Sequence, residues 1–201
     1  MKTNKIIMTA SLVLIINVAY AVGNLLLGVS ESSWWFMTLG IYYLILSSAR
    51  LVSIIMDKRA RAGVISMSVG VMLMVTAIPL LGIVILSTVR ERGNQFHEII
   101  MITMALYAFS KITLAIINLI KVRKGSLEVE KALRNISLAD AFVSIASLQR
   151  SMLVSFGDMA VNDIKLFNVL TGTGVSIIIF LLGLNLVMEI RGKGKKSEIQ
   201  F

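Results

Sequence analysis

Read from the amino terminus, the chain alternates long apolar stretches with short polar ones. The apolar residues gather into six runs, at about 6–29, 33–56, 63–89, 98–120, 132–156 and 165–190. Each exceeds the roughly 20 residues that a helix rising 1.5 Å per residue needs to cross about 30 Å of hydrocarbon. The pattern predicts an all-α integral membrane protein of six transmembrane helices, forming a single polytopic domain over residues 1–201. Lys2, Lys5, the first apolar run and Ala19-Tyr20-Ala21 also resemble a secretory signal with a small-x-small cleavage site. The run is kept as helix one, because it has a counterpart in helix four.

Polar residues inside the runs are striped rather than scattered to the ends. On a wheel of 100° per residue, Thr103, Tyr107, Ser110, Lys111 and Asn118 fall on one arc of helix four. Helix five does the same with Ser137, Asp140, Ser144, Ser147, Ser151 and Ser155. Asn17, Tyr20 and Asn24, with Gly28, share a face of helix one, and helix two offers Tyr43, Ser47 and Arg50. Such stripes are expected to face a bundle interior or a wet cavity.

The two halves of the chain resemble each other, in order. AYAVGNLLLG in helix one lies over LYAFSKITLA in helix four, matching Tyr20-Ala21 with Tyr107-Ala108. YYLILSSAR in helix two lies over FVSIASLQR in helix five, matching Ser47 with Ser147 and Arg50 with Arg150. PLLGIVIL in helix three lies over FLLGLNLV in helix six, matching Leu80-Leu81-Gly82 with Leu181-Leu182-Gly183. Three spans per half is an odd number, so equivalent segments would run in opposite directions. The expectation is a 3+3 inverted-topology repeat, with half-repeats at about 6–89 and 98–190 and a solute site near the midplane between them. Pro79 removes a backbone donor in helix three and predicts a kink near residues 75–79. Pro79, Gly82 and Gly183, with Gly172 and Gly174, are candidate hinge positions, although glycine also serves close packing in membrane helices.

Composition supports this picture and narrows it. With 57% hydrophobic and 15% charged residues, the chain leaves no room for a separate soluble domain. Its net charge of +9 is unevenly spread. Lys2 and Lys5, then Lys58, Arg59 and Arg61, then Lys121, Arg123, Lys124, Lys131 and Arg134, and finally Arg191, Lys193, Lys195 and Lys196 occupy alternate polar segments. The other segments hold Arg90, Arg92 and Lys165 against Glu31, Glu91, Glu98, Asp158 and Asp163. The positive-inside rule then makes both termini cytoplasmic in a multi-pass protein of the cell membrane, with residues 191–201 a basic cytoplasmic tail. The basic segments are expected to face anionic lipid headgroups rather than nucleic acid. Trp34, Trp35 and Phe36 fall where an outer aromatic belt belongs.

Charges within the runs supply the candidate chemistry. Lys111 lies about 14 Å from the inner end of helix four, and Asp140 about 12 Å from the inner end of helix five, at 1.5 Å per residue. Adjacent antiparallel helices would hold the two at similar depth. An unpaired charge there costs at least ~2.5–3.5 kcal/mol, so an ion pair between Lys111 and Asp140 is expected at the edge of a polar cavity. Arg50 and Arg150 lie nearer helix ends, where each can snorkel to headgroups or, as a symmetry-related pair, attract anions at the two mouths. Arg50, Lys111 and Arg150 against Asp140 leave a net +2 within the spans, which favours a permeant anion over a cation. Asp140 could alternatively carry a proton.

Other classes lose ground. Cysteine is absent and His97 is the one histidine, so thiol chemistry, disulfides and a transition-metal site are not expected. No phosphate-cradling or nucleophile motif occurs in a suitable context, and Asp140 is the only carboxylate deep in a span. Neither an enzyme nor a cofactor is expected. YYLILSSAR and LYAFSKITLAIINLIKVRKG, followed by RNISLADAFVSIASLQRSM, resemble small six-helix bacterial integral membrane proteins. The likeness covers most of the chain, supports the span count and implies no activity. The acidic motifs of cation exchangers and of zinc-exporting six-helix proteins are missing.

The resulting expectation is a small secondary transporter or channel-like facilitator for a small anionic or polar solute, working as a homodimer. Its pathway would be lined by Asn17, Tyr20, Asn24, Tyr43, Arg50, Tyr107, Lys111, Asp140, Ser144, Ser147 and Arg150. The alternative is a non-transporting scaffold, sensor or accessory subunit whose buried charges are assembly contacts.

Overall fold

A computed structural model of the chain describes residues 2–30, 32–56, 62–89, 98–121, 128–156 and 160–198. Six helices account for nearly all of them: α1 (Lys2–Ser30), α2 (Trp34–Met56), α3 (Ala62–Val89), α4 (Glu98–Lys121), α5 (Glu128–Phe156) and α6 (Val161–Glu198). His97 and the linker charges Glu31, Lys58, Arg59, Arg61, Arg90, Glu91, Arg92, Arg123, Lys124 and Asp158 lie outside the described residues. The helices follow the six apolar runs to within a few residues at most ends. The largest departure is α6, which continues to Glu198, through much of the stretch assigned to a basic tail. Lysine and arginine end a hydrophobic run without ending a helix, because both are good helix formers.

Four helices carry an apolar stretch long enough to cross a membrane: Ile7–Ser30, Trp34–Met56, Gly63–Gly82 and Asn162–Ile190. In α4 the apolar stretch Ala105–Ile117 is shorter. Helix α5 carries Glu128, Glu130, Lys131, Arg134, Asp140 and Arg150, too many charges to read as a span by composition. It sits instead among the other helices and buries residues around most of its circumference, Ala132, Ile136, Ala139 and Val143 among them. The burial pattern is inverted relative to a water-soluble bundle. Ile15, Ile78, Leu106 and Ile120 are exposed, whereas Asn17, Arg50, Lys111 and Asp140 are buried. Polar interior and apolar exterior are consistent with a membrane protein, where hydrocarbon replaces water as the outer solvent.

Contacts along the bundle settle the helix directions. The α1–α2 turn closes with Ser33 N–H donating to Gly28 O at 2.9 Å, and Met37 N–H donating to Ser33 O at 3.2 Å starts α2. A Cβ on Gly28 would stand 2.7 Å from Met37 N, so only glycine permits this approach. At one end of the bundle Ser66 Oγ donates to Glu128 Oε2 at 3.0 Å, and Lys131 Nζ meets Glu189 Oε1 at 2.5 Å. These join the starts of α3 and α5 to the end of α6. At the opposite end, Arg150 near the end of α5 lies against Trp35 at the start of α2. Side chains pair Asn17 with Lys111 and Tyr20 with Tyr107, so α4 runs antiparallel to α1. Successive helices therefore alternate in direction.

The principal neighbours are α1 with α2, α2 with α3, α4 with α5, α5 with α6, and α3 with α6. Gly70 and Gly183 bring α3 and α6 together: a Cβ on Gly183 would lie 2.6 Å from Gly70 O. Helix α3 passes through Pro79 as one continuous helix, and α6 passes through Gly172, Gly174 and Gly183 in the same way. Beside Gly82 there is open space.

Candidate functional site

Near the middle of the bundle, three helices each contribute one polar side chain to a single knot. Lys111 Nζ (α4) donates to Asp140 Oδ2 (α5) at 2.6 Å and also to Asn17 Oδ1 (α1). Asn17 Nδ2 donates to the same Asp140 Oδ2 at 3.0 Å, closing the triangle. Relative exposures of 0% for Asn17, 6% for Lys111 and 1% for Asp140 put the knot out of contact with any surrounding phase. At that burial a lysine and a carboxylate interact far more strongly than at a surface, and each needs the other to offset its lost hydration. The expected Lys111–Asp140 pair is thus present, with Asn17 as a third member.

Arg50 belongs to the same cluster. Its Nη2 lies 3.6 Å from Asp140 Oδ2, and the residue is 2% exposed. Snorkelling towards the nearer end of α2 does not occur, nor does Arg50 stand at a mouth of the bundle. The face of α2 that carries Tyr43, Ser47 and Arg50 is buried, so the flexible guanidinium stem extends inward to the buried carboxylate. Two cations therefore share one carboxylate.

Tyrosines surround the knot. The rings of Tyr20 and Tyr107 stack with centroids 4.5 Å apart at 17°, and Tyr43 meets Tyr20 edge-on at 4.9 Å. Lys111 Nζ stands 5.0 Å from the Tyr107 centroid and 5.8 Å from that of Tyr43, within cation–π range. Tyr43 Oη and Ser144 Oγ are 3.2 Å apart, and Ser144 Oγ donates back to Asp140 O at 2.8 Å. Tyr42, which sequence reasoning missed, packs edge-to-face on Tyr43 with centroids 5.1 Å apart and is fully buried. Its place beside Tyr43 was the only available signal.

Several buried groups here have no hydrogen-bond partner in the protein: Arg50 Nε and Nη2, Tyr42 Oη, Tyr107 Oη, Ser47 Oγ and Asp140 Oδ1. Buried polar groups are normally paired, so these atoms carry hydrogen-bonding capacity that the protein itself does not use.

Other expected pathway residues sit elsewhere. Asn24 is buried but donates to its own helix, at Tyr20 O (2.7 Å). Ser110 is exposed and bonds back to Leu106 O at 2.8 Å, a correction to its interior placement: it lies 100° from Lys111 and just beyond the buried arc. The side chains of Thr103, Asn118 and Ser155 lie outside the described ones. Ser147 and Arg150 line a separate cleft of about 30 Å³ near the far end of the bundle, with Trp35, Asn168 and Thr171. There Arg150 Cζ is 3.9 Å from the Trp35 ring centroid, and Gln149 Nε2 donates to Thr171 Oγ1 at 2.7 Å. Of the three aromatics assigned to an outer belt, only Trp34 is exposed; Phe36 is buried and Trp35 turns inward onto Arg150. Consecutive helical residues differ by 100°, so the three cannot share one outward face.

A double-mutant cycle on Trp35→Leu and Arg150→Leu is expected to give a coupling energy of about 0.5–2 kcal/mol in detergent unfolding. A value near zero would mean that other groups hold the guanidinium.

Among the described residues, no group of three or more His, Asp or Glu side chains comes together as a metal site would require. No protein-family model matches the chain, and no curated protein matches it. The likeness to small six-helix bacterial membrane proteins rests on the quoted stretches alone.

Proposed function

We propose that this protein is a small secondary transporter or channel-like facilitator for a small anionic or polar solute, acting at the Asn17–Arg50–Lys111–Asp140 cluster. The observation that carries this reading is the knot itself: two cations and one carboxylate buried near mid-bundle, ringed by hydroxyls without protein partners. Ionisable groups are expensive inside a membrane protein and characteristically mark a substrate or ion path.

In this reading all six helices cross the cell membrane, with both termini cytoplasmic beside anionic headgroups. The alternating helix directions and the basic residues of alternate linkers support that orientation. Helix α5 crosses despite its charges because its neighbours cover them. The two halves are inverted repeats. Two features support this: α1–α2 and α2–α3 packing has counterparts in α4–α5 and α5–α6, and Tyr20 stacks on Tyr107, its counterpart by sequence. Residues equivalent by a two-fold touch each other where the axis passes between them. Pro79, Gly82 and Gly183 would be the places where α3 and α6 rock or unwind.

The test is flux into proteoliposomes, with a panel of small anions and neutral polar solutes, for the wild type and for Lys111→Met and Arg50→Gln. Saturable uptake that falls at least tenfold in either variant is the expected result. A folded wild type that moves no solute in either direction would transfer the cluster to an assembly role in a scaffold or accessory subunit.

A further inference from the structure

The cluster's charges are unevenly satisfied. Lys111 is bonded to both Asp140 and Asn17, whereas Arg50 is 3.6 Å from the carboxylate and makes no hydrogen bond through Nε or Nη2. The uncompensated positive charge of the group therefore resides on Arg50. The same cluster holds groups that can donate: the hydroxyls of Tyr42, Ser47 and Tyr107, all without hydrogen-bond partners in the protein. Ser47 lies one helical turn from Arg50 on the same face of α2, Tyr42 packs edge-on against Tyr43, and the Tyr107 ring lies 5.0 Å from Lys111 Nζ, so all three belong to the same cluster. Asp140 Oδ1 is the only acceptor-only atom in this set.

We infer that the site binds a small monovalent anion, of halide, nitrate or formate size, held against the Arg50 guanidinium by the hydroxyls of Tyr42, Ser47 and Tyr107. The inference deepens the transport reading and rests on it for what the site is for. Two cations against one carboxylate leave +1, which a single monovalent anion neutralises. A cation would raise that charge to +2 beside a guanidinium already lacking hydrogen bonds. A neutral solute would leave the guanidinium uncompensated in a buried setting, at a substantial cost. A dianion would overshoot to −1 and surrender more hydration on entry. Donors alone, one of them charged, make the short charge-assisted hydrogen bonds that small anions accept.

The experiment uses the full chain purified in detergent with sodium gluconate as the only salt. Sodium chloride, bromide, nitrate, formate and sulfate are titrated in at constant ionic strength, and thermal unfolding is followed. Saturable stabilisation by one or more of the small monovalent anions, with none from sulfate, is the expected result. Tyr42→Phe and Tyr107→Phe keep the rings and remove only the hydroxyls, and each should weaken the apparent Kd by about tenfold. Arg50→Gln should abolish the response. If Arg50→Gln fails to fold, the two tyrosine variants still decide. A flat response, a non-saturating one shared by every salt, or an affinity unchanged in both tyrosine variants overturns the anion site. The transport reading fails separately. Flux of a neutral solute by a protein that binds no anion would remove the anion and keep transport. Saturable anion binding without flux would do the reverse.

Discussion

Replacing Asp140 with alanine is expected to cost about 3–5 kcal/mol of stability, because it leaves Lys111 and Arg50 buried together with no counter-charge. Replacing Lys111 with methionine should cost less. The carboxylate would still have Asn17 at 3.0 Å and Arg50 at 3.6 Å, close enough for the guanidinium to swing onto it. The asymmetry is a direct consequence of two cations sharing one anion and would not arise in an isolated pair. Charge reversals should rank in the same way. Asp140→Lys gathers three cations, Lys111→Asp sets two carboxylates beside one arginine, and the double reversal restores the original charge. The order of unfolding midpoints should be wild type, double reversal, Lys111→Asp, Asp140→Lys. If Lys111→Met proves as damaging as Asp140→Ala, Arg50 is not serving the carboxylate. If the double reversal is no better than the single ones, the pair does not form. A triple apolar replacement at 50, 111 and 140 should recover most of the stability and none of the flux, since apolar groups of similar volume commonly substitute for buried ion pairs without loss.

The pair was legible in the sequence because depth is nearly one-dimensional in a membrane helix. Counting residues inward from the ends of two antiparallel neighbours put Lys111 and Asp140 at one level, and the polar stripes pointed them inward. Arg50 was not legible in the same way. Residue counting locates a Cα, whereas a long arginine side chain can place its charge several ångströms towards either end, and only the burial of its helix face decides which. Trp35 and Ser110 show a related limit. Each sits beside a residue with the opposite destination, Trp34 and Lys111, and a wheel drawn without the neighbouring helices cannot say where the buried arc ends. Helix α5 illustrates the opposite case. It is the segment whose composition argues least for a span, and it carries Asp140 and the buried serines because neighbouring helices cover it.

The second large effect is expected where α3 and α6 cross. Gly183→Val should destabilise the bundle by about 1–3 kcal/mol or more, because a side chain there runs into backbone that cannot give way as the nearby Met74 side chain could. Its Cβ would stand 2.6 Å from Gly70 O and 3.0 Å from Met74 N, both backbone atoms. The reciprocal substitution meets the same wall: a Cβ on Gly70 would lie 2.8 Å from Gly183 O. The helices would have to part, and loss of close packing is costly where lipid supplies no hydrophobic drive to hold them together. Gly82→Ala and Gly174→Ala are the matched controls. Nothing lies within 4 Å of a Cβ at either position, so each should be neutral or should gain up to about 1 kcal/mol from helix propensity. Unfolding in detergent measures all four variants. Equal tolerance at 183 and 82 would mean that α3 and α6 do not cross at Gly70–Gly183. The same variants separate packing from hinge. A Gly82→Ala protein that keeps its stability and loses flux would assign Gly82 to the moving part of α3, one turn from Pro79. A Gly183→Val protein that loses both would assign Gly183 to the contact about which that motion turns.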